Sequence, residues 1–206
     1  MKLKERISKI SEPRSEEPNF MDKVLDKTFL WIFPPFIKPN HLTVFRYISI
    51  PIIFFLLLFQ YYELGLIFFF ISAFSDALDG ALARTRKQIT SWGKINDPLA
   101  DKLLIGVSGV ILITKYIGVE IIAVILLLEI LTVVAALSLY DPKENPGARL
   151  PGKLKMLCQS FGLGFLLIYI TSNVLTIFTV AVFLLYLSIF FSVINVIFCT
   201  FFAKSL

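Results

Sequence analysis

Residues 76–101 read DALDGALARTRKQITSWGKINDPLAD and contain four aspartates in two pairs. Asp76 and Asp79 are three residues apart and Asp97 and Asp101 are four apart, so a helix would place each pair on one face. Each pair lies at the edge of a long apolar segment, and side-by-side packing of two such helices would bring four carboxylates together. Their repulsion is strong at low dielectric, and divalent cations or shared protons would relieve it. Carboxylate-rich oxygen sites suit magnesium, manganese and calcium.

The composition is typical of a membrane protein. Of the 206 residues, 57% are hydrophobic, and the mean hydropathy is +0.80, which is far more apolar than an ordinary soluble domain. The only cysteines are Cys158 and Cys199, no CxxC pair occurs, and His41 is the only histidine. These counts exclude a zinc site and a disulfide framework. We expect membrane lipids as surroundings and no nucleic-acid partner.

The apolar segments predict an all-α integral membrane protein with six transmembrane helices, since a span needs about 20 largely apolar residues. The predicted spans are 41–61, 63–84, 96–115 and 117–140, followed by two between 156 and 203 that are separated near 171–173. Residues 36–206 would then form one multi-pass membrane domain.

The N-terminal residues predict two further segments. Residues 1–18 are polar and lack the apolar core of a secretory signal, so we expect a mobile cytoplasmic tail. Residues 19–35 place apolar and charged side chains on opposite sides at roughly helical spacing, which predicts an amphipathic helix in the membrane interface. Packing of this helix against other protein is the open alternative.

Lysine and arginine residues predict the orientation. The N-terminal tail, the link around 84–94 and the link around 143–155 are basic, so all three are expected on the cytoplasmic side. Both termini would be cytoplasmic, and the four aspartates would lie near that face. Ionisable groups inside membrane spans are costly and point to function.

The face of the second span that carries Asp76 and Asp79 also carries Gly80 and Ala83. Small residues let a ligand approach the backbone, although they also bring membrane helices together. Arg84 could bind a phosphate. Alternatively, it could serve only as a topology charge, that is, one of the positive residues that keep this side of the protein in the cytoplasm. Carboxylates with divalent cations, an arginine and access to lipid indicate phosphoryl or phosphatidyl transfer, with a free carboxylate as base.

Residues 76–101 contain DxxDGxxAR, a gap of eight residues, and then GxxxDxxxD. This pattern resembles the signature of the CDP-alcohol phosphotransferases at every fixed position. Pro39-Asn40-His41-Leu42-Thr43, followed by Arg46, is similar to the PNxLT segment at the start of that family's first span. The resemblance implies that a phosphatidyl group passes from CDP-diacylglycerol, or a related CDP-lipid, to an alcohol, with release of CMP. It also implies a homodimer.

The resemblance further implies roles for individual residues. Asp76, Asp79 and Asp97 would bind two Mg²⁺ or Mn²⁺ ions, and Asp101 would either contribute to the second metal or act as the catalytic base, which we favour. The residues expected around the CDP-lipid are Gly80, Ala83, Arg84, Gly93, Asn40 and Thr43. Arg84 would contact the diphosphate, and Gly93 would let a polar link approach the nucleotide. Asn40 and Thr43 would flank the nucleotide or cap the first span, since asparagine is a preferred cap.

The acceptor alcohol is indicated by two segments, DPLADK at 97–102 and GKLK at 152–155, which resemble the phosphatidylglycerophosphate synthase branch of the family. Lys153, Lys155 and Glu129 are expected to bind the acceptor, glycerol 3-phosphate, although both lysines also fit as topology charges. Leu128 stands where that branch commonly has an arginine, which removes one phosphate contact. An inositol phosphate or phosphatidylglycerol therefore stays open as the acceptor.

A different class of protein, an ion or proton transporter, could also use intramembrane acids as a relay. The aspartates are expected near one membrane face rather than across the bilayer, and the inverted repeats common in transporters are absent from the sequence. A catalytically inactive scaffold is the other alternative, and the intact motif disfavours it.

Overall fold

The computed structural model describes residues 28, 38–86, 88, 90–138 and 150–202. Within these ranges the chain forms six helices and no strand. They are α1 (Pro39–Leu58), α2 (Tyr62–Thr85), α3 (Ser91–Tyr116), α4 (Val119–Ser138), α5 (Leu150–Ser172) and α6 (Leu175–Phe202). The predicted tail at 1–18 and the predicted interfacial helix at 19–35 lie outside the described residues, apart from Thr28.

Four of the described helices, α1, α2, α5 and α6, are long and apolar enough to cross a membrane. They leave large apolar side chains such as Ile48, Phe55 and Phe183 exposed, and an apolar surface of this extent is unfavourable in water. The prediction of a helical membrane protein is therefore confirmed.

Most helix boundaries lie within a few residues of the predicted spans, but α3 and α5 begin earlier than predicted. The third span was expected to begin at 96, whereas α3 begins at Ser91. Thr90 explains this start, because its Oγ1 accepts a hydrogen bond of 3.0 Å from the Gly93 amide, as an N-cap residue does. In the same way, Lys153 and Lys155 were expected in a link but lie in the first turns of α5.

The described residues divide into two compact units, with the boundary between Leu104 and Ile105 in α3. In the first unit, α1 and α2 form an antiparallel hairpin whose turn includes Gln60 at φ 66°. The helices approach closely at Gly65, where an added methyl group would lie 2.7 Å from Leu57 Cδ2. Farther along, the buried hydroxyls of Ser49 and Ser72 share a hydrogen bond of 2.8 Å. Small and hydroxylated side chains thus hold this pair together, as is common between membrane helices.

The second unit contains the remainder of α3 together with α4, α5 and α6. Here α5 and α6 pack along their length, and α4 packs against α6. A methyl group on Gly162 would lie 3.0 Å from the Leu185 side chain in α6, so glycine at this position allows the two helices to pack closely. The break predicted near 171–173 is confirmed by Asn173, whose φ of 56° ends α5; asparagine tolerates this left-handed conformation.

Candidate active site

The four aspartates of the motif lie on two helices of the first unit. Asp76 and Asp79 are in the last three turns of α2, and Asp97 and Asp101 are in the first three turns of α3. The side chain of Asp79 is only 3% exposed, whereas that of Asp76 is 40% exposed. One carboxylate is therefore held inside the unit and another is open at its surface.

A buried arginine joins three of these carboxylates. Arg46 of α1 is fully buried, and its Nη2 donates to Asp79 Oδ2 at 2.6 Å. Its Nη1 lies 2.9 Å from Asp76 Oδ1 and 2.9 Å from Asp101 Oδ1. The expected convergence of carboxylates is thus present for these three, and a guanidinium cation lies at their centre.

Sequence reasoning did not assign Arg46 a role in the site. The expected remedies for carboxylate repulsion were divalent cations or shared protons, but the chain itself supplies a positive charge. A signal was available, because Arg46 lies on the same stripe of α1 as Thr43, Ile50 and Ile53, which are buried. An arginine on the inward face of an apolar helix requires acidic partners, and the aspartates of the motif were the available ones.

Asp97, the fourth aspartate, is held by the start of α1. Thr43 Oγ1 donates a hydrogen bond of 2.8 Å to Asp97 Oδ1. Asn40 joins the same region, since Thr90 Oγ1 donates to Asn40 Oδ1 at 2.9 Å. Asn40 and Thr43, which were singled out from the sequence, therefore lie next to the start of α3.

Two expectations for this region are wrong. Asn40 does not cap α1, because the helix begins at Pro39 and its N-cap is Lys38. Gly93 does not lie in the polar link before the third span, because it is in the first turn of α3. A methyl group on Gly93 would lie 3.2 Å from Thr90 Oγ1, 3.4 Å from Asp97 Oδ2 and 3.6 Å from Asn40 Oδ1, so the glycine backbone packs closely against these three oxygens.

Gly80 and Arg84 are in direct contact on α2. A methyl group on Gly80 would lie 3.3 Å and 3.4 Å from the two terminal nitrogens of Arg84. The guanidinium therefore lies over Gly80, one turn away along the helix, as the i, i+4 spacing allows. Ala83, the other small residue of the motif, is half-buried on the same helix.

The three residues predicted to bind the acceptor differ in their exposure and in their contacts. All three lie in the second unit, where Lys155 is 4% exposed and its Nζ lies 2.8 Å from Glu129 Oε1. Gln159 Nε2 also donates to Glu129 Oε1, at 3.4 Å. Lys153 is exposed. The structure therefore brings Lys155 and Glu129 together as an ion pair and leaves Lys153 at the surface of α5.

The donor set of the aspartate cluster fits a hard divalent cation, because it consists of carboxylate oxygens from neighbouring helices. Three of these carboxylates already face one positive group, the Arg46 guanidinium. In this arrangement no three acidic, histidine or cysteine side chains among the described residues are close enough to hold a metal ion jointly.

The chain is similar to known proteins over most of its length. Residues 36–202 match the sequence model of the family described as CDP-alcohol phosphatidyltransferase. A CDP-diacylglycerol–glycerol-3-phosphate 3-phosphatidyltransferase of Rickettsia typhi is 36% identical over 138 residues, which are 63% of this chain and 75% of the relative. The protein of the same name from Bacillus subtilis is 30% identical over 173 residues, 76% of this chain and 90% of the relative.

Proposed function

Because the chain belongs to the CDP-alcohol phosphatidyltransferase family, a family of phospholipid-synthesis enzymes, we propose that it transfers a phosphatidyl group from CDP-diacylglycerol to glycerol 3-phosphate and releases CMP. The proposed acceptor rests on two observations: relatives from several bacteria carry this activity in their names, and DPLADK and GKLK occur in this chain. Family membership also favours phosphatidyl transfer over the transporter hypothesis.

The observation that carries the proposal is the cluster of Asp76, Asp79 and Asp101 around one cationic centre, with Asp97 hydrogen-bonded to Thr43 beside it. We propose that Asp76, Asp79 and Asp97 hold Mg²⁺ or Mn²⁺. When bound, a pair of such cations neutralises the diphosphate and stabilises the attacking and leaving oxygens.

Asp101 is proposed as the base that accepts the proton of the acceptor hydroxyl. Its side chain is 22% exposed and is therefore partly accessible from outside the cluster. Arg46 Nη1 lies 2.9 Å from Asp101 Oδ1 and holds this oxygen in position. A base must be both positioned and accessible to the proton that it abstracts. Both conditions favour Asp101 over the buried Asp79.

The CDP-lipid is proposed to lie along α2 and the starts of α1 and α3. Arg84, positioned over Gly80, would bind the diphosphate, since a guanidinium forms bidentate contacts with phosphate oxygens. Ala83 and Gly93 would admit the nucleotide close to the backbone, and Asn40 would lie beside it. Thr43 would act mainly by orienting Asp97.

Acceptor binding is proposed for the start of α5. Lys153 is exposed and can approach an anionic acceptor directly. Lys155 carries three donors, so it can keep its contact with Glu129 and still donate to a phosphate oxygen. Glu129 would then orient Lys155.

We also propose that all six helices span the membrane, with the active site and both termini on the cytoplasmic side. The distribution of lysine and arginine supports this orientation, and 26 residues in α3 and 20 in α4 suffice for a bilayer core of about 30 Å. The interfacial helix at 19–35 and a homodimer belong to the same proposal and rest on the sequence.

The acceptor is tested by incubating the purified full-length chain in lipid micelles with CDP-diacylglycerol, Mg²⁺ and one alcohol at a time. The panel contains glycerol 3-phosphate, an inositol phosphate, phosphatidylglycerol, inositol and serine, and mass spectrometry identifies the product. We expect phosphatidylglycerophosphate from glycerol 3-phosphate. Product from another alcohol alone would replace the acceptor and keep the chemistry.

Replacing Gly80 with alanine should weaken binding of the CDP-lipid without weakening the fold. The added methyl group displaces the Arg84 guanidinium by a few tenths of an ångström, and small misplacements at reacting groups are costly. We expect the KM for CDP-diacylglycerol to rise by about three- to tenfold. The thermal stability should rise slightly, because alanine favours a helix over glycine.

The matched control is Gly106→Ala in α3, where no described atom lies within 4 Å of the added methyl group. Gly106→Ala should raise the helix propensity as much as Gly80→Ala does and leave the KM for CDP-diacylglycerol unchanged. An unchanged KM in Gly80→Ala as well would remove Arg84 from the diphosphate site.

Replacing Lys153 with alanine should raise the KM for glycerol 3-phosphate by about tenfold, the value of one charge-assisted hydrogen bond. The KM for CDP-diacylglycerol should stay the same. Lys115→Ala is the control, since Lys115 is also an exposed helical lysine. Equal values for wild type and Lys153→Ala would leave Lys153 as a topology charge.

A further inference from the structure

Arg46 contacts three aspartates of the motif, and its side chain is 0% exposed. Its Nη atoms bind Asp76, Asp79 and Asp101, and Nη1 also lies 3.5 Å from the main-chain oxygen of Asp97. Within the described chain its Nε finds no acceptor. The carboxylates are therefore the principal partners that hold this guanidinium.

Arg46 contacts more carboxylates than one guanidinium can neutralise. Arginine stays protonated in proteins and so contributes one positive charge, whereas three carboxylates surround it. Removing the guanidinium would take a positive charge away from Asp79, whose side chain is only 3% exposed, and a buried charge that loses its partner is strongly destabilising. Arg46 is thus required for a stable cluster whenever no other cation is bound.

A divalent cation would use two of the same carboxylates. Mg²⁺ requires carboxylate oxygens at about 2.0–2.1 Å, but Asp76 Oδ1 and Asp79 Oδ2, which belong to two of the proposed ligands, are engaged by Arg46 at 2.9 Å and 2.6 Å. The guanidinium also repels an approaching cation. Cation binding and the Arg46 contacts therefore oppose each other.

We propose that Arg46 is an internal counter-cation, a positioning residue that holds the aspartate cluster together without metal and competes with divalent cations for its carboxylates. The proposal rests on the proposed function in one respect, namely that the aspartates bind such cations. It goes further in assigning to Arg46 both the stability of the metal-free protein and a limit on metal affinity.

The test uses the purified full-length chain in detergent and the variant Arg46→Gln, which removes the charge and keeps a hydrogen-bonding side chain. Thermal unfolding in excess EDTA should occur about 10 °C lower in the variant, since a partner of a buried ion pair is lost. Titration with Mn²⁺, followed by the electron paramagnetic resonance signal of free Mn²⁺, should give a Kd at least about tenfold lower than wild type, because a competing charge is gone.

Three further variants sharpen the comparison. Arg46→Lys keeps the charge and should keep a Kd for Mn²⁺ near that of wild type. Arg86→Gln removes an arginine at the end of α2 and should change neither quantity. The double variant Arg46→Gln/Asp76→Asn removes one surplus carboxylate and should regain part of the stability lost in EDTA. If Arg46→Gln does not fold without metal, this double variant decides, and its failure to fold would overturn the proposal.

The outcomes separate this inference from the proposed function. Weaker Mn²⁺ binding by Arg46→Gln, or unchanged unfolding in EDTA, would overturn the role of Arg46 and leave the transferase proposal intact. Failure of the wild-type protein to bind Mn²⁺ at all would instead remove the proposed metal site, while the measurements in EDTA would still test whether Arg46 holds the cluster.

Discussion

Replacing Asp79 with asparagine is expected to lower the rate of CMP release at least about a thousandfold, the upper range for removing one group from a preorganised electrostatic site. Asp79 is the most buried of the three aspartates that contact Arg46, so neither water nor a flexible neighbour can substitute for its carboxylate. Rates of CMP release from CDP-diacylglycerol, measured with saturating Mg²⁺ and glycerol 3-phosphate, test this directly.

The fold should survive the Asp79→Asn substitution. Arg46 keeps Asp76 and Asp101 as partners, and the new amide oxygen can still accept a hydrogen bond from Nη2. Unfolding in EDTA should therefore stay close to wild type. Glu63→Gln, an exposed acid in the first turn of the same helix, should leave the rate unchanged. Substantial activity in Asp79→Asn would refute its assignment as a metal ligand.

Replacing Asp101 with asparagine is expected to lower kcat by about a hundred- to ten-thousandfold, the contribution of a general base. Binding of CDP-diacylglycerol and the number of Mn²⁺ ions bound should not change, because the base acts on the acceptor hydroxyl. Asp97→Asn offers the contrast, since loss of a metal ligand should weaken both metal and CDP-lipid binding.

The alternative role of Asp101 predicts a different pattern. If its carboxylate helps to bind the second metal, Asp101→Asn should lose one Mn²⁺ and bind the CDP-lipid more weakly, as Asp97→Asn does. Counting bound Mn²⁺ in both variants under the same conditions distinguishes base from ligand.

The helices and the convergence of aspartates could be predicted from local sequence, because apolar length and the i, i+3 and i, i+4 spacings are short-range signals. The early start of α3 could not be predicted in this way, because a hydropathy pattern does not detect polar helical turns such as Ser91–Asn96. The relevant signal was Thr90, a cap residue whose function depends on the backbone that follows it.

The parts of the site that were not predicted from the sequence depend on contacts between residues far apart in the chain. Arg46 lies 33 residues from Asp79 and 55 from Asp101, and no spacing rule connects residues at such separations. The same holds for Lys155 and Glu129, which were predicted as separate acceptor contacts and are paired with each other. Burial of a charged residue on an apolar stripe was the available clue to Arg46, but its partners could be identified only from the fold.

The most direct test of the proposed function is CMP release by the purified protein from CDP-diacylglycerol in lipid micelles, with and without glycerol 3-phosphate and with Mg²⁺ or EDTA. We predict rapid release only when both the acceptor and the divalent cation are present, with one phosphatidylglycerophosphate formed for each CMP. Release that is unaffected by EDTA, or no release although the CDP-lipid binds and glycerol 3-phosphate is present, would contradict metal-assisted phosphatidyl transfer to this acceptor.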